Sequence, residues 1–158
     1  MKLSNALSVA ALAAMKSALD GGKLYYFAGP VPASAEEALN MGQHTQLLVM
    51  TVANDGTSGL TFATPTGAVL SKTIEEEWKG TVAFDGAQAG ETTLTPTFFR
   101  FGAAGDNCRG ASTGARLQGT IGGASSDATI KLTDGTTVTA NGTNARSLPI
   151  FNVNLQSS

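Results

Sequence analysis

Glu75, Glu76 and Glu77 form an unbroken acidic run. A pair of carboxylates can cleave a glycosidic bond or hold Ca²⁺. If the run is extended, alternation puts Glu75 and Glu77 on one face and Glu76 on the other. Asp85, Glu91 and Asp106 could join them in space. A solvated edge, or an acidic contact patch facing an arginine of a neighbouring subunit, explains the same run without a converging site, and it is the expectation. The single histidine, His44, lies in Gly42-Gln43-His44-Thr45, where a loop feeds a strand. Zinc needs three or four protein ligands. No second histidine and no cysteine or aspartate at ligand spacing accompanies His44, so no metal site is expected. The single cysteine, Cys108, sits in Gly105-Asp106-Asn107-Cys108-Arg109-Gly110 with no evident base beside it. It reads as a passive loop thiol rather than a nucleophile.

Aromatic residues offer a second kind of chemistry, stacking on a sugar. Trp78 beside Glu77, and the cluster Phe98, Phe99 and Phe101, are the candidates. Strand alternation places Phe99 and Phe101 together on a core face. Phe98 and Arg100 share the opposite face and are expected to be the exposed pair. Asn141-Gly142-Thr143 matches a glycosylation pattern, but Asn-Gly is first of all a turn. Gly119-Thr120-Ile121-Gly122-Gly123 is neither a phosphate loop nor a dinucleotide fingerprint, because no helical pattern follows. These residues give no catalytic, cofactor-binding or metal-binding set.

Composition narrows the field. The chain has 158 residues, the length of one ordinary domain. It is 42% hydrophobic and only 14% charged, with a net charge of −2, which fits a β protein whose faces are largely covered and not a disordered tail. The basic residues are scattered from Lys2 to Arg146 and form no cationic stripe, so nucleic acid is not the expected partner. One cysteine makes no intrachain disulfide, which fits assembly in a reducing compartment. The Ala-rich N-terminal stretch is interrupted by Ser4, Asn5 and Ser8 and is too short to span a membrane. It is expected to be an amphipathic helix rather than a signal or an anchor.

The elements follow from periodicity. Leu12, Met15 and Leu19 mark one helical face, and Asp20-Gly21-Gly22 stops the helix with a glycine in the left-handed position. Residues 1–22 are thus an N-terminal helix that packs on its own β-core or on a partner. Residues 23–158 are a single β-sandwich domain. Residues 23–29 form an aromatic strand, and Ser34-Ala35-Glu36-Glu37 opens a short helix to about Asn40 by a capping-box pattern. Residues 45–53 form a central strand covered on both faces. Residues 92–101 make a long aromatic run in which Pro96 suggests an edge or a bulge. Residues 102–114 make a long loop of small residues. Residues 129–133 and 136–140, joined by Asp134-Gly135, form the clearest hairpin, because Asp-Gly suits a type I′ turn. Phe151, Val153 and Leu155 face one way and Asn152 and Asn154 the other. Strands at this spacing predict a mainly β fold, a jelly-roll-like antiparallel sandwich or barrel with an N-terminal helix.

The chain resembles small virion structural proteins of tailed bacteriophages. The pattern runs through Leu19-Asp20-Gly21-Gly22, then Leu24-Tyr25-Tyr26-Phe27-Ala28-Gly29-Pro30 into Pro32-Ala33-Ser34-Ala35-Glu36-Glu37-Ala38-Leu39. It continues through Trp78-Lys79-Gly80, Phe84-Asp85-Gly86, Phe98-Phe99-Arg100-Phe101, Leu117-Gln118-Gly119-Thr120-Ile121-Gly122 and a final strand from Ile150 to Leu155. The resemblance implies a capsid decoration or cement protein on the head exterior, made in the host cytoplasm. Its partners would be the major capsid protein and itself, as a homodimer or homotrimer, with no enzyme activity, cofactor, nucleic acid or membrane. Leu12, Met15, Leu19, Glu75, Glu77, Phe98 and Arg100 are the expected interface residues. On this reading, losing residues 1–20 weakens particle binding or oligomerisation more than it unfolds the β body. The alternatives are a tail, collar or head-fibre anchoring component, and a carbohydrate-binding sandwich using Trp78.

Overall fold

A computed structural model describes residues 3–133, 136–140 and 145–155. The described residues form one helix, α1 (Asn5–Leu19), followed by eleven strands: β1 (Lys23–Ala28), β2 (Thr45–Val52), β3 (Val69–Ser71), β4 (Trp78–Gly86), β5 (Thr93–Leu94), β6 (Phe98–Gly102), β7 (Arg116–Gly123), β8 (Ile130–Leu132), β9 (Val138–Thr139), β10 (Ala145–Leu148) and β11 (Asn152–Asn154). Seven of these strands make a curled mixed sheet in the order β10-β4-β2-β1-β6-β7-β8. Two small ladders, β11-β3 and β5-β9, complete the strands. The fold is mainly β, sandwich- or barrel-like, with an N-terminal helix, as the periodicity predicts.

Helix α1 starts where Ser4 accepts a hydrogen bond from the Leu7 amide at 3.3 Å. It stops at Gly21, whose φ of 81° is the left-handed conformation a C′ glycine supplies. Leu12 and Leu19 point into the same core as Leu24, Leu48, Phe62 and Trp78, and Met15 packs against it. This face of the helix therefore packs on the chain's own β core. The Gly21-Gly22 joint is a close crossing of backbones. The Gly21 amide donates to Leu60 and the Leu60 amide to Gly22. A β-carbon on Gly22 would lie 2.1 Å from the Gly102 carbonyl oxygen, and one on Gly59 2.0 Å from that of Gly21.

The core is aromatic. Trp78 is fully buried, with ring centroids 5.3 Å from Phe62, 5.5 Å from Phe151 and 5.7 Å from Phe101. A second apolar cluster, Tyr25, Phe27, Leu39, Phe98 and Cys108, lies on the other face of β1 and β6. β6 is therefore buried at every position.

Two expected elements take other forms. Residues 34–40 make turns and no helix. The Ser34 hydroxyl accepts from the Glu36 amide, as in a serine turn, and the Ser34, Ala35 and Glu37 carbonyl oxygens accept from distant arginine side chains. The expected hairpin strands part company: β8 pairs in parallel with β7, and β9 pairs with β5. Its turn, Asp134-Gly135, and the Asn141-Gly142-Thr143 pattern lie outside the described residues.

Candidate interaction surface

The polar centre of the molecule is Arg100. Strand β6 carries it on the face away from the main core, where the 102–114 loop and the segment before β2 cover it completely. Its Nε donates to Gln118 Oε1 at 2.9 Å. Nη1 donates to the Glu37 and Cys108 carbonyl oxygens at 2.8 and 3.0 Å, and Nη2 to that of Ser34 at 3.0 Å. Burial, reinforced by the nearby positive charge of Arg116, lowers the pKa of Arg100. Arg116 grips Asp106 with both ends of its fork, at 2.5 and 2.7 Å, and reaches the Ala35 and Gly110 carbonyl oxygens. That fork holds the Asp106 carboxyl below its usual range and raises Arg116. Gln118 completes the clamp by donating to Pro32 at 2.8 Å. These arginines fasten two loops to the sheet.

This arrangement corrects the expected exposure of Phe98 and Arg100. Both are fully buried, because the loops form a second apolar layer that strand alternation alone does not reveal. Leu12 and Leu19 are likewise spent on the internal core and Met15 is half-buried, while Leu7, 54% exposed, stays on the outside of α1. Trp78 does not stack on a sugar, since its ring lies wholly inside.

The groups capable of chemistry are engaged by the fold. Cys108 is buried, and burial with the neighbouring Asp106 charge pushes its thiol up to about 12. His44 is buried with Nδ1 2.9 Å from the Asn40 carbonyl oxygen and Nε2 2.9 Å from that of Pro30. The carboxylates do not converge. Asp85 pairs with Arg109, Asp106 with Arg116, and Glu77 with Lys79 at 3.3 Å. Among the described residues no three metal-ligating side chains gather, and no helix is long and apolar enough to cross a membrane.

Sequence reasoning missed Glu76. It accepts from the Thr61 amide and hydroxyl and from the Trp78 indole N–H at 3.0 Å, while its own carbonyl oxygen accepts from Lys72. Lys72 in turn lies 5.9 Å over the Trp78 ring. Glu76 thereby pins the acidic turn and leaves Glu75 and Glu77 exposed on its outside.

That turn carries the most exposed large hydrophobic side chain among the described residues. Ile74 is 87% exposed and Ile150 70% exposed. Both line one shallow cleft of about 250 Å³ with Lys72 and Pro149. The two segments run side by side because the Lys72 amide donates to Phe151 and β11 pairs with β3. Pro149 and Ile150 also border a second cleft, of about 200 Å³, lined by Met50, Leu132 and Val138.

No protein family, curated protein or solved structure matches this chain. The resemblance to phage virion proteins therefore stands on the sequence pattern alone.

Proposed function

We propose that this chain is a non-catalytic structural protein of a tailed-phage virion, a capsid decoration or cement protein that binds across junctions between major-capsid subunits. One observation carries the contact surface: Ile74 and Ile150 stand side by side in water, flanked by the exposed Glu75 and Glu77. Single exposed apolar residues are ordinary on any protein. Two neighbouring isoleucines joined to two clefts are an apolar spot, with Glu75 next to Ile74 in the chain and Lys72, Lys131 and Arg146 among the cleft-lining residues. Covering each isoleucine fully would contribute about 1.5–3 kcal/mol.

Three features support a role through contact rather than turnover. The thiol and the imidazole are buried and bonded into the fold, and the carboxylates are dispersed. The surface carries few charges for a chain of this length. The cleft at Ile74 and Ile150 is shallow, which suits a protein surface better than an enclosed small molecule. Binding to an expanded shell stabilises it by mass action, and dimers or trimers at local symmetry axes are the natural arrangement.

The test is to mix the purified chain with expanded and unexpanded empty heads and sediment them. The reading expects saturable binding in many copies to expanded heads and little to unexpanded ones. A few copies at a single vertex would place the chain in the neck or tail instead. No association with any head or tail would overturn the proposal.

A further inference from the structure

We infer that the groove between β11 and β7 is a slot for one extended, uncharged segment of another protein, which would enter as an additional strand. This goes beyond the reading above and does not depend on which particle the chain joins.

Backbone parity decides which groups of the two strands are free. The Lys72 amide donates to Phe151, and the Leu155 amide to Ala68. In an antiparallel ladder this places the backbone groups of residues 151, 153 and 155 toward β3. Those of Asn152 and Asn154 then point away from it. Across the groove, the Ile121 amide donates to Thr97 and the Ala103 amide to Ala115. The same parity turns residues 117, 119 and 121 of β7 toward β6 and leaves Gln118 pointing outward. β8 covers only residues 121–123 of β7. Among the described residues, the outward N–H and C=O groups of Gln118, Asn152 and Asn154 have no backbone partner.

Between these two open edges lies a crevice of about 400 Å³. Phe99, Leu117 and Phe151 line it with apolar atoms, while Gln118, Asn152 and Asn154 border it. None of its lining side chains is charged. A chain in β conformation offers donors and acceptors on both sides and a side chain facing down at every second residue. It would satisfy both edges and fill the crevice together. A helix presents no free backbone groups along its length. A charged side chain pointing inward would be buried without a counter-ion. The groove therefore fits a neutral segment with apolar residues at alternate positions.

Hydrogen exchange on the full chain alone comes first. The Gln118, Asn152 and Asn154 amides are expected to exchange fast, and the Val153 amide, which faces β3, slowly. The chain then serves as bait for a random library of linear peptides of about seven residues, enough to overrun a short strand. Enriched peptides are expected to be uncharged and alternating, and a synthetic copy should slow exchange at all three amides. Asn152→Pro removes one outward donor without touching the β3 ladder. It should weaken that peptide roughly five- to tenfold, the worth of about one backbone hydrogen bond. Asn152→Ala should bind as the parent does. If Asn152→Pro disturbs Val153 exchange, Asn154→Pro gives the same reading, and Thr129→Trp should block the crevice outright. Four results overturn the inference: the three amides protected in the free monomer, protection that rises with concentration through a second copy, no enriched peptide, or an enriched peptide indifferent to both proline variants.

Discussion

The Arg100 Nη2 donates to the Ser34 carbonyl oxygen at 3.0 Å, joining the middle of β6 to a segment 66 residues earlier. It is one of four bonds from a guanidinium that no solvent reaches. Replacing Arg100 with methionine removes the donor from three carbonyl oxygens and the Gln118 amide oxygen, the Cys108 carbonyl in the interior and the others partly buried. Each buried group left unpaired costs about 1–3 kcal/mol, so Arg100→Met should destabilise by at least about 3 kcal/mol. Arg100→Lys should recover little of this, because an ammonium cannot reproduce the fork. Urea denaturation measures both. A change within experimental error would mean that the loops are held by something else.

The Asp106–Arg116 pair sets an acid limit. The folded-state pKa of Asp106 is depressed, first by the hydrogen bonds from Arg116. Its contribution is present above the unfolded value of about 3.9 and is lost as pH falls through the folded value. Asp55 lies in the same window, lowered to about 2 by the Ser58 hydroxyl and the Thr57 and Ser58 amides. Asp106→Asn separates the two. The variant should be less stable at neutral pH and should lose less than the parent between about pH 4 and pH 2. Parallel stability curves for parent and variant across that range would refute the role of this pair.

The N-terminal helix belongs to the fold. Deleting residues 1–20 removes Leu12 and Leu19 from the core and the Asp20 carboxylate that accepts from the Phe62 amide at 2.9 Å. The truncated chain should lose its cooperative unfolding transition, where the sequence alone leads one to expect binding or oligomerisation to weaken more than the β body unfolds. Gly59→Ala attacks the same junction without deleting anything, because its methyl would press on the Gly21 carbonyl oxygen. It should cost about 1–3 kcal/mol or more. A truncated chain that melts as sharply as the parent would contradict this.

Helix α1 also contains a removable defect. Ser8 is fully buried, and its hydroxyl has no hydrogen-bond partner among the described residues. Ser8→Ala deletes an unsatisfied polar group and raises helix propensity. Thermal denaturation should show a gain of about 1 kcal/mol. A loss would mean that the hydroxyl is bonded in solution.

These predictions divide along the line between local and long-range information. Helix α1, its stop at Gly21, the aromatic strand β1 and the inward set Phe151, Val153 and Leu155 are legible from spacing, because each rests on neighbours a few residues apart. The turns at 34–40 carry a helical signature that fails, because Arg100 and Arg116 take the carbonyl oxygens a helix would use for itself. Nothing near Ser34 announces those arginines. Phe98 and Arg100 do share a face, as alternation requires, but covering that face needs loops from two distant parts of the chain. Strands β8 and β9 read as a hairpin because their patterns adjoin, yet each finds a better partner elsewhere. Of the proposed contact surface, only Glu75 and Glu77 are visible in the sequence. Ile74 and Ile150 meet through the β3-β11 ladder, a pairing no local pattern encodes.

The direct test of a role through contact is sedimentation of Ile74→Asp, Ile150→Asp and the double variant with expanded heads. Both side chains already face water, so thermal stability should stay within about 0.5 kcal/mol of the parent. Each single variant should weaken association about tenfold or more, and the double variant should abolish it. Folded variants that bind the shell as tightly as the parent would contradict the account.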